Sequence, residues 1–417
     1  MRRNQRRFKR VKIASKWIIM LVLITFVAGI AMGCGGGSQT PAPAPSEGEG
    51  QGDAPATDPI KIGVNYELSG PVATYGSHTA NAIQLAFDEI NAAGGVLGGR
   101  QLQAIILDNK SENAEAMSVA TRLIADEQVV AHLGPATTGN TLAVVPVAME
   151  NKVPVITTSG TSPDITVDPQ TGQTREYIFR TCFIDPPQAV VGADFLYNVV
   201  GVKNVAIYYD NGNDYSKGLY RVFKEEFTNL GGTIVAEEGY VDADQEFRPT
   251  LTKFRDAGAE AVYLPGYYQK VALIISQAKE IGLDVPFVGA DGWDSPDLVK
   301  IAGAENLNNT FFTNHYSSQD DTPLVQDFVK AYTERYGDAP DSFAALGYDA
   351  AYLLADAIER AGSTDPEAIK DALAATKDFE AVTGTMSFDE YHNPVKEIAI
   401  IEMLDGQQVL KTKIAPK

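Results

Sequence analysis

The sequence predicts an α/β protein with two doubly wound lobes, each a parallel sheet with helices on both faces. Two observations lead to this prediction. Short apolar runs alternate with longer segments of helical spacing from Ile60 onward, and the alternation starts again after Arg180. Repeated strand–helix units favour parallel strands, because a parallel connection needs a crossover between its strands. Residues 60–417 are long enough for two such lobes.

The first half begins with the strand IKIGVNYEL and the turn SGPVATYG. Three further strands are predicted at QLQAIILDN, VVAHLG and VPVITT. Helices are predicted at HTANAIQLAFDEINAAG, AEAMSVATRLIADEQ and TLAVVPVAMEN, the last one interrupted by Pro146. Proline interrupts a helix because it lacks the N–H group and its ring clashes with the preceding turn.

The second half repeats the pattern with strands at NVAIYYD, TIVAEEGYV, AEAVYLPG and VPFVGAD. Its helices are predicted at QAVVGADFLYNVV, SKGLYRVFKEEFTNLG, FRPTLTKFRDAG and YQKVALIISQAKEIG. Two more helices follow, PLVQDFVKAYTERYG and FAALGYDAAYLLADAIERAG, and then the segments GTMSFDE and EIAIIEMLDGQQVLKTK, which we expect to be extended.

Residues 1–33 predict a lipoprotein signal peptide. Eight basic residues and no acid come before an uncharged apolar run from Trp17 to Gly33. A membrane-spanning signal anchor stays an alternative, because the run is near the lower limit of about 17–25 residues for a span. The stretch AMGC resembles a bacterial lipobox, with Ala31 where leucine is usual, so we expect Cys34 to be lipidated.

Residues 34–59 predict a flexible tether, because glycine, proline, serine and acids leave too little apolar surface to fold. Cys34 and Cys182 are the two cysteines of the chain, so a lipidated Cys34 leaves no partner for a disulfide. This organisation predicts an extracytoplasmic protein held at the cell membrane by its lipid.

The charge of the chain argues against a nucleic-acid partner. The net charge is −20, and it becomes −28 without the eight basic residues of the first 33. Nucleic-acid binding depends on basic surfaces. The four histidines are scattered without ligand spacing, and neither a GxSxG elbow nor a P-loop is present. We therefore expect no metal, no cofactor and no enzymatic activity.

Candidate binding groups follow five predicted strands. Thr138 comes after VVAHLG, Ser159 after VPVITT, Asp291 after VPFVG, Tyr267 after AVYLPG, and Tyr75 after IKIGVNYEL. In open α/β sheets ligands bind beyond the carboxyl ends of the strands. The hydroxyl residues could be ordinary turn residues, but their position in both halves favours a small anion held between the lobes.

Several stretches, in order along residues 60–417, resemble the leucine/isoleucine/valine-binding proteins of bacterial ABC transporters, which are type I solute-binding proteins. They are SGPVATYG, INAAGGVLGGR, LGPATTG, VPVITTSGTSP, FRTCFIDPPQ, NDYSKG, YLPGYY, GADGW and SFAALGYDA. The resemblance implies the type I periplasmic binding protein fold, with two lobes joined by three crossover segments. It places lobe one at 60–180 plus 315–392, and lobe two at 181–314 plus 393–417.

The resemblance also implies an amino-acid site. Thr138, Ser159 and Thr161 fall at the positions that contact the ligand carboxylate. Asp291 falls at the position of the carboxylate that contacts the ligand ammonium. Tyr75, Tyr215 and Tyr267 match aromatic positions of the site, Phe343 matches an apolar pocket position, and Trp293 lies next to Asp291.

The physical chemistry of these groups agrees with that site. A ligand carboxylate is stabilised by hydroxyls and by the N–H groups at a helix start, whereas an ammonium prefers an acid and aromatic faces. Asp291 could instead cap the helix that starts near SPDLVK, although Ser295 suits that role better. Trp293 could form the pocket wall or pack within a lobe, and Phe343 could be a core residue. The family usually has glutamate where this chain has Asp291.

The expected function is therefore a lipid-anchored solute-binding protein. It would capture an amino acid, branched-chain or otherwise aliphatic, and deliver it to an ABC transporter permease as a monomer. One alternative is a sensor that presents its ligand to a chemoreceptor or kinase, and another is a binder of a small amide or amino-acid-like solute.

Overall fold

The computed structural model describes residues 58–415, and the structural findings concern this part of the chain. It contains a five-stranded and a seven-stranded sheet with helices packed against both, which confirms the predicted α/β class with two doubly wound lobes. None of its helices is both long enough and apolar enough to cross a membrane. The predicted signal peptide at 1–33, Cys34 and most of the predicted tether lie outside the described residues.

Lobe one is built on the five-stranded sheet, whose strands are all parallel and have the order β2-β1-β3-β4-β5. The strands are β1 (Ile60–Tyr66), β2 (Leu102–Asp108), β3 (Ala131–Leu133), β4 (Val155–Thr157) and β5 (Ile178–Arg180). The helices are α1 (Ala73–Ala92), α2 (Asn113–Ala125) and α3 (Thr138–Asn151). Strand β1 is buried along almost its whole length, as expected for a parallel strand covered on both faces.

Lobe two is built on the seven-stranded sheet, with the order β12-β11-β10-β9-β8-β6-β7. Its strands are β6 (Asn204–Asp210), β7 (Thr233–Tyr240), β8 (Ala261–Tyr263), β9 (Phe287–Gly289), β10 (Thr310–Asn314), β11 (Ile398–Leu404) and β12 (Gln407–Ile414). Strands β6 to β10 are parallel, and β11 and β12 add an antiparallel edge. Its helices are α4 (Asp185–Asp194), continued by a π-helix at Phe195–Val200, α5 (Asp214–Asn229), α6 (Arg248–Asp256), α7 (Tyr268–Glu280) and α8 (Pro296–Ala302).

The remaining helices return to lobe one. They are α9 (Pro323–Tyr336), α10 (Ser342–Ala361) and α11 (Pro366–Ala374), and α10 packs along α1. The chain therefore passes between the lobes three times, after β5, after β10 and before β11, which confirms three crossover segments. The exact residues at which one lobe ends and the other begins stay a prediction.

One local prediction differs from the structure. Helix α3 continues past Pro146 to Asn151 without a break. Pro146 lies on the exposed side of α3, so we infer that water can satisfy the carbonyl left unpaired by its missing N–H group. The segment GTMSFDE, predicted to be extended, contributes Met386 and Phe388 to two isolated antiparallel bridges, with Phe379 and Pro394.

A glycine sets how closely α1 approaches the carboxyl end of β1. A Cβ atom on Gly76 would lie 2.3 Å from the carbonyl oxygen of Glu67, the residue that follows β1. Any side chain at position 76 would therefore push α1 away from the sheet. This close packing explains Gly76, the second glycine of SGPVATYG, and it places Tyr75 over the strand ends.

Candidate functional site

A small cavity of about 10 Å³ lies between the two lobes. Its lining comprises Tyr75, Ala136, Thr137, Thr138, Ser159 and Phe343 of lobe one, with Tyr215, Tyr267, Asp291 and Gly292 of lobe two. Seven of the nine predicted site residues are thus brought together. A cavity of this size holds about one water molecule, so a ligand as large as an amino acid can enter only when the lobes or their side chains move apart.

Tyr75 contacts lobe two directly. Its ring stacks on Phe343 with the centroids 4.0 Å apart and meets the ring of Tyr267 edge-on at 5.8 Å. Its hydroxyl donates a hydrogen bond to the carbonyl of Gly292 and accepts one from the backbone N–H of Tyr268 at 3.4 Å. This residue of α1 therefore helps to hold the two lobes together around the cavity.

The lobe-one wall of the cavity offers donors suited to an anion. Thr138 is the first residue of α3, and its buried hydroxyl has no hydrogen-bond partner in the structure. The N–H groups in the first turn of a helix also lack partners within the helix. The Ser159 hydroxyl lines the cavity but donates to the carbonyl of Ala136 at 2.9 Å. Thr137, which the sequence reasoning did not select, lines the cavity beside Thr138.

A buried carboxylate stands next to these donors. Glu67 is fully buried and accepts hydrogen bonds from the backbone N–H groups of Ala136 and Thr137, both at 3.1 Å. It also accepts from the Thr137 hydroxyl at 2.9 Å and from the Asn140 amide at 2.8 Å. Glu67 therefore uses the donors just before α3, and the Thr138 hydroxyl remains for a ligand.

The lobe-two wall carries the negative charge of Asp291, whose exposure is 2%. Its Oδ1 accepts from the Tyr215 hydroxyl at 2.8 Å and from the Gln188 amide at 2.9 Å. Its Oδ2 lies 3.2 Å from Nε2 of His315. Burial lowers the pKa of His315, so the imidazole is neutral at neutral pH and adds no compensating charge there. The ring of Tyr215 stacks on Tyr267 at 5.3 Å.

Ser295, and not Asp291, caps helix α8. The side chain of Ser295 accepts a hydrogen bond from the backbone N–H of Asp297 at 3.2 Å and begins α8. Asp291 opens a separate 3₁₀ turn at Asp291–Trp293, and its carboxylate accepts from Tyr215 and Gln188. Its carboxylate instead borders the cavity.

Two predicted site residues do not line this cavity. Trp293 is fully buried, donates from Nε1 to the carbonyl of Leu264 at 3.0 Å and packs over Gly289, where a Cβ atom would lie 2.1 Å from the indole. Thr161 is buried beside Asp185, whose N–H group donates to its carbonyl at 2.9 Å. The Thr161 hydroxyl has no hydrogen-bond partner in the structure.

Asp185 and Gln188 are two further polar groups of this region that were not predicted as site residues. Both lie on α4 and within the stretch FRTCFIDPPQ, which carried part of the resemblance without a role for its acid. The Gln188 amide donates to Oδ1 of Asp185 at 3.0 Å as well as to Asp291. Burial and the nearby Asp291 carboxylate raise the pKa of Asp185 to about 7.

A wider polar chamber of about 270 Å³ adjoins the small cavity and shares Thr137 and Tyr267 with it. Asp210, Asp214 and Asp242 line its lobe-two side. We interpret this chamber as the mouth of the interlobe cleft. A larger groove of about 630 Å³ lies at residues 315–325 and 380–399 and contains none of the nine predicted residues, so its size does not make it the better candidate.

The protein family described as periplasmic binding protein matches residues 59–408. The chain is 31% identical over 337 residues to a leucine-, isoleucine-, valine-, threonine-, and alanine-binding protein of Pseudomonas aeruginosa, covering 80% of this chain and 87% of that protein.

Two solved structures are also similar. One is LivJ of Streptococcus pneumoniae, a branched-chain amino acid transporter substrate binding protein in complex with isoleucine. It is 39% identical, with a TM-score of 0.80 over 86% of this chain and 100% of that one. The other is the leucine binding protein LivK of Thermotoga maritima, 35% identical, with a TM-score of 0.80 over 86% and 99% of the chains.

Proposed function

Because the chain belongs to the periplasmic-binding-protein family and has the type I fold of its branched-chain amino-acid binding members, we propose that it captures an amino acid between its two lobes. The observation that carries this proposal is the polarity of the interlobe cavity. An unpartnered buried hydroxyl at the start of α3, that of Thr138, faces the same small space as the carboxylate of Asp291. This arrangement fits the two opposite charges of a free amino acid.

We assign the ligand carboxylate to Thr138 and the first turn of α3, and the ligand ammonium to Asp291 and Tyr215. Charge-assisted hydrogen bonds of this kind are roughly twice as strong as neutral ones. Tyr75, Phe343 and Tyr267 supply an apolar, aromatic lining that suits an aliphatic side chain. Since each lobe binds one end of the ligand, the ligand favours the arrangement in which both lobes contact it.

The site supports binding rather than chemistry. Cys182 is buried, and burial raises the pKa of its thiol to about 12, so it is not a thiolate at neutral pH. A reactive cysteine requires a lowered pKa. We accordingly assign Cys182 to packing, and we propose that the protein delivers its ligand unchanged to an ABC transporter permease.

We predict that an aliphatic L-amino acid stabilises the protein against heat. Leucine, isoleucine, valine, alanine and threonine should be compared with acetamide and with leucinamide, which keeps the ammonium but lacks the carboxylate. At a concentration one hundred times its Kd, a ligand adds about 2.7 kcal/mol of stability. Differential scanning calorimetry followed by isothermal titration measures this effect. Binding of leucinamide or acetamide as tightly as leucine would contradict the carboxylate assignment.

We further propose that Cys34 anchors the protein outside the cytoplasm, and we predict that Cys34→Ser releases it from the membrane fraction. Ligand affinity should not change, because residues 35–57 separate Cys34 from the described fold. Membrane fractionation and titration of the same variant measure both quantities, with Cys182→Ser as the control that keeps Cys34. A variant still firmly bound to membranes would favour the signal anchor instead.

A further inference from the structure

We propose that Asp185 and Asp291 form a carboxyl pair that holds one proton before the ligand arrives and releases it when the ligand ammonium binds. Ligand capture is then coupled to proton release. This inference rests on the proposed function, because it needs a cationic group in the interlobe cavity. The released proton passes to solvent, and no other bond forms or breaks.

One amide group donates hydrogen bonds to both carboxylates of the pair. The side-chain NH₂ of Gln188 donates to Oδ1 of Asp185 at 3.0 Å and to Oδ1 of Asp291 at 2.9 Å. Asp185 is 1% exposed and Asp291 is 2% exposed. The second oxygen of Asp185 has no hydrogen-bond partner in the structure. Two buried carboxylates that share one donor repel each other when both are ionised, and this repulsion favours a proton on Asp185.

Nearby cations do not form an ion pair with either carboxylate in residues 58–415. Arg180 is the cation whose charge acts on Asp185, and it lowers that pKa. Its guanidinium donates to the carbonyls of Gly160 and Ser162. The Thr161 hydroxyl also lowers the pKa of Asp185, although no hydrogen bond of good geometry joins them. Arg180 therefore offsets part of the negative charge of the pair without forming an ion pair with either carboxylate in residues 58–415.

The tyrosines, the cysteine and the lysine around the pair keep their charge between pH 5 and 7. Burial raises the pKa of Tyr215, Tyr263 and Tyr267 far above neutrality, and that of the Cys182 thiol to about 12. Burial lowers the pKa of His315, which touches Asp291. Lys396 has its pKa lowered to about 8 by burial and lies near Asp349 and Cys182. Among these groups Asp185 is the one whose pKa is raised to about 7.

The direction of the effect follows from the raised pKa of Asp185, about 7. Below pH 7 Asp185 carries the proton, and a ligand ammonium beside Asp291 favours its release, because the positive charge offsets the repulsion between the two carboxylates. Affinity for an amino acid should therefore increase as the pH increases to about 7 and level off above it. A free amino acid keeps both of its own charges over this range, so the change belongs to the protein.

The test is isothermal titration of the full-length protein in mild detergent with L-leucine and L-isoleucine, between pH 5 and pH 8.5. Each pH is measured in two buffers of different ionisation enthalpy, so that the protons released per ligand can be counted. We expect close to one proton released per ligand at pH 6 and almost none at pH 8.5. The dissociation constant should increase about tenfold for each pH unit below 7, as one displaced proton requires.

Two variants locate the proton. Asp185→Asn should abolish proton release at pH 6 and flatten the pH dependence of affinity. Asp349→Asn changes a buried acid of α10 outside the cavity. This variant should keep both the proton release and the pH dependence of affinity. Wild-type binding without proton release at pH 6 would overturn the coupling and leave the proposed function intact. Proton release that persists in Asp185→Asn would overturn the assignment, whereas failure of every amino acid to bind would overturn the proposed function itself.

Discussion

Asp291→Ala is expected to weaken amino-acid binding by at least a hundredfold. The carboxylate borders the interlobe cavity at 2% exposure, and Tyr215 and Gln188 hold it in place with hydrogen bonds. Removing one partner of a buried ion pair costs roughly 3–5 kcal/mol, and 1.4 kcal/mol corresponds to a factor of ten in Kd. Because Asp185, which accepts from the same Gln188 amide, remains in place, we expect the lower end of that range. Isothermal titration with the tightest amino acid measures the change.

Asp349→Ala is the matched control for this substitution. Asp349 is also a buried acid that accepts three hydrogen bonds, from the N–H groups of Val382 and Thr383 and from the Thr383 hydroxyl. It lies on α10 and does not line the cavity. Both variants should lower the melting temperature of the ligand-free protein, but only Asp291→Ala should lose affinity. Affinity within threefold of wild type in Asp291→Ala would move the ammonium contact elsewhere.

The fold could be predicted because its signals are local. The apolar run IKIGVNY is buried as β1, and most helices begin and end near the predicted residues. Thr138, Ser159, Tyr267 and Asp291 each follow a predicted strand, and all four line one cavity. In a parallel sheet the carboxyl ends of the strands meet at one edge, so position along the chain was enough to bring these residues together.

The sequence could not predict which polar groups would pair across long separations. Glu67 meets the residues before α3, 69 or more positions along the chain, and Gln188 meets Asp291 after 103 positions. Nothing in the spacing of either residue distinguishes it from a surface acid or amide. The sequence also did not predict that Trp293 packs against Gly289, because an aromatic residue next to a site residue suits a pocket wall and a lobe core alike.

Glu67→Ala is expected to give the largest loss of stability, about 3–5 kcal/mol of the free energy of unfolding. The fully buried carboxylate accepts from the N–H groups of Ala136 and Thr137, the Thr137 hydroxyl and the Asn140 amide. Alanine would leave the N–H groups of Ala136 and Thr137 and the Thr137 hydroxyl without this acceptor, whereas the Asn140 amide also donates to Asn109 at 3.3 Å. Each unsatisfied buried group costs about 1–3 kcal/mol, and these costs are not additive. Urea denaturation of the ligand-free protein measures the difference.

Glu67→Gln separates the loss of hydrogen bonds from the loss of volume. Glutamine fills the same space and keeps one acceptor oxygen, but its NH₂ group faces donors and cannot accept from them. Its stability should therefore lie between those of wild type and Glu67→Ala. The free energy of unfolding of Glu67→Ala could instead lie within about 0.5 kcal/mol of that of wild type. In that case a water molecule must replace the carboxylate as acceptor, and the start of α3 would not depend on Glu67. If the expected loss is seen, the donors before α3 are already satisfied by the protein's own carboxylate, and a ligand anion must bind at Thr138 instead.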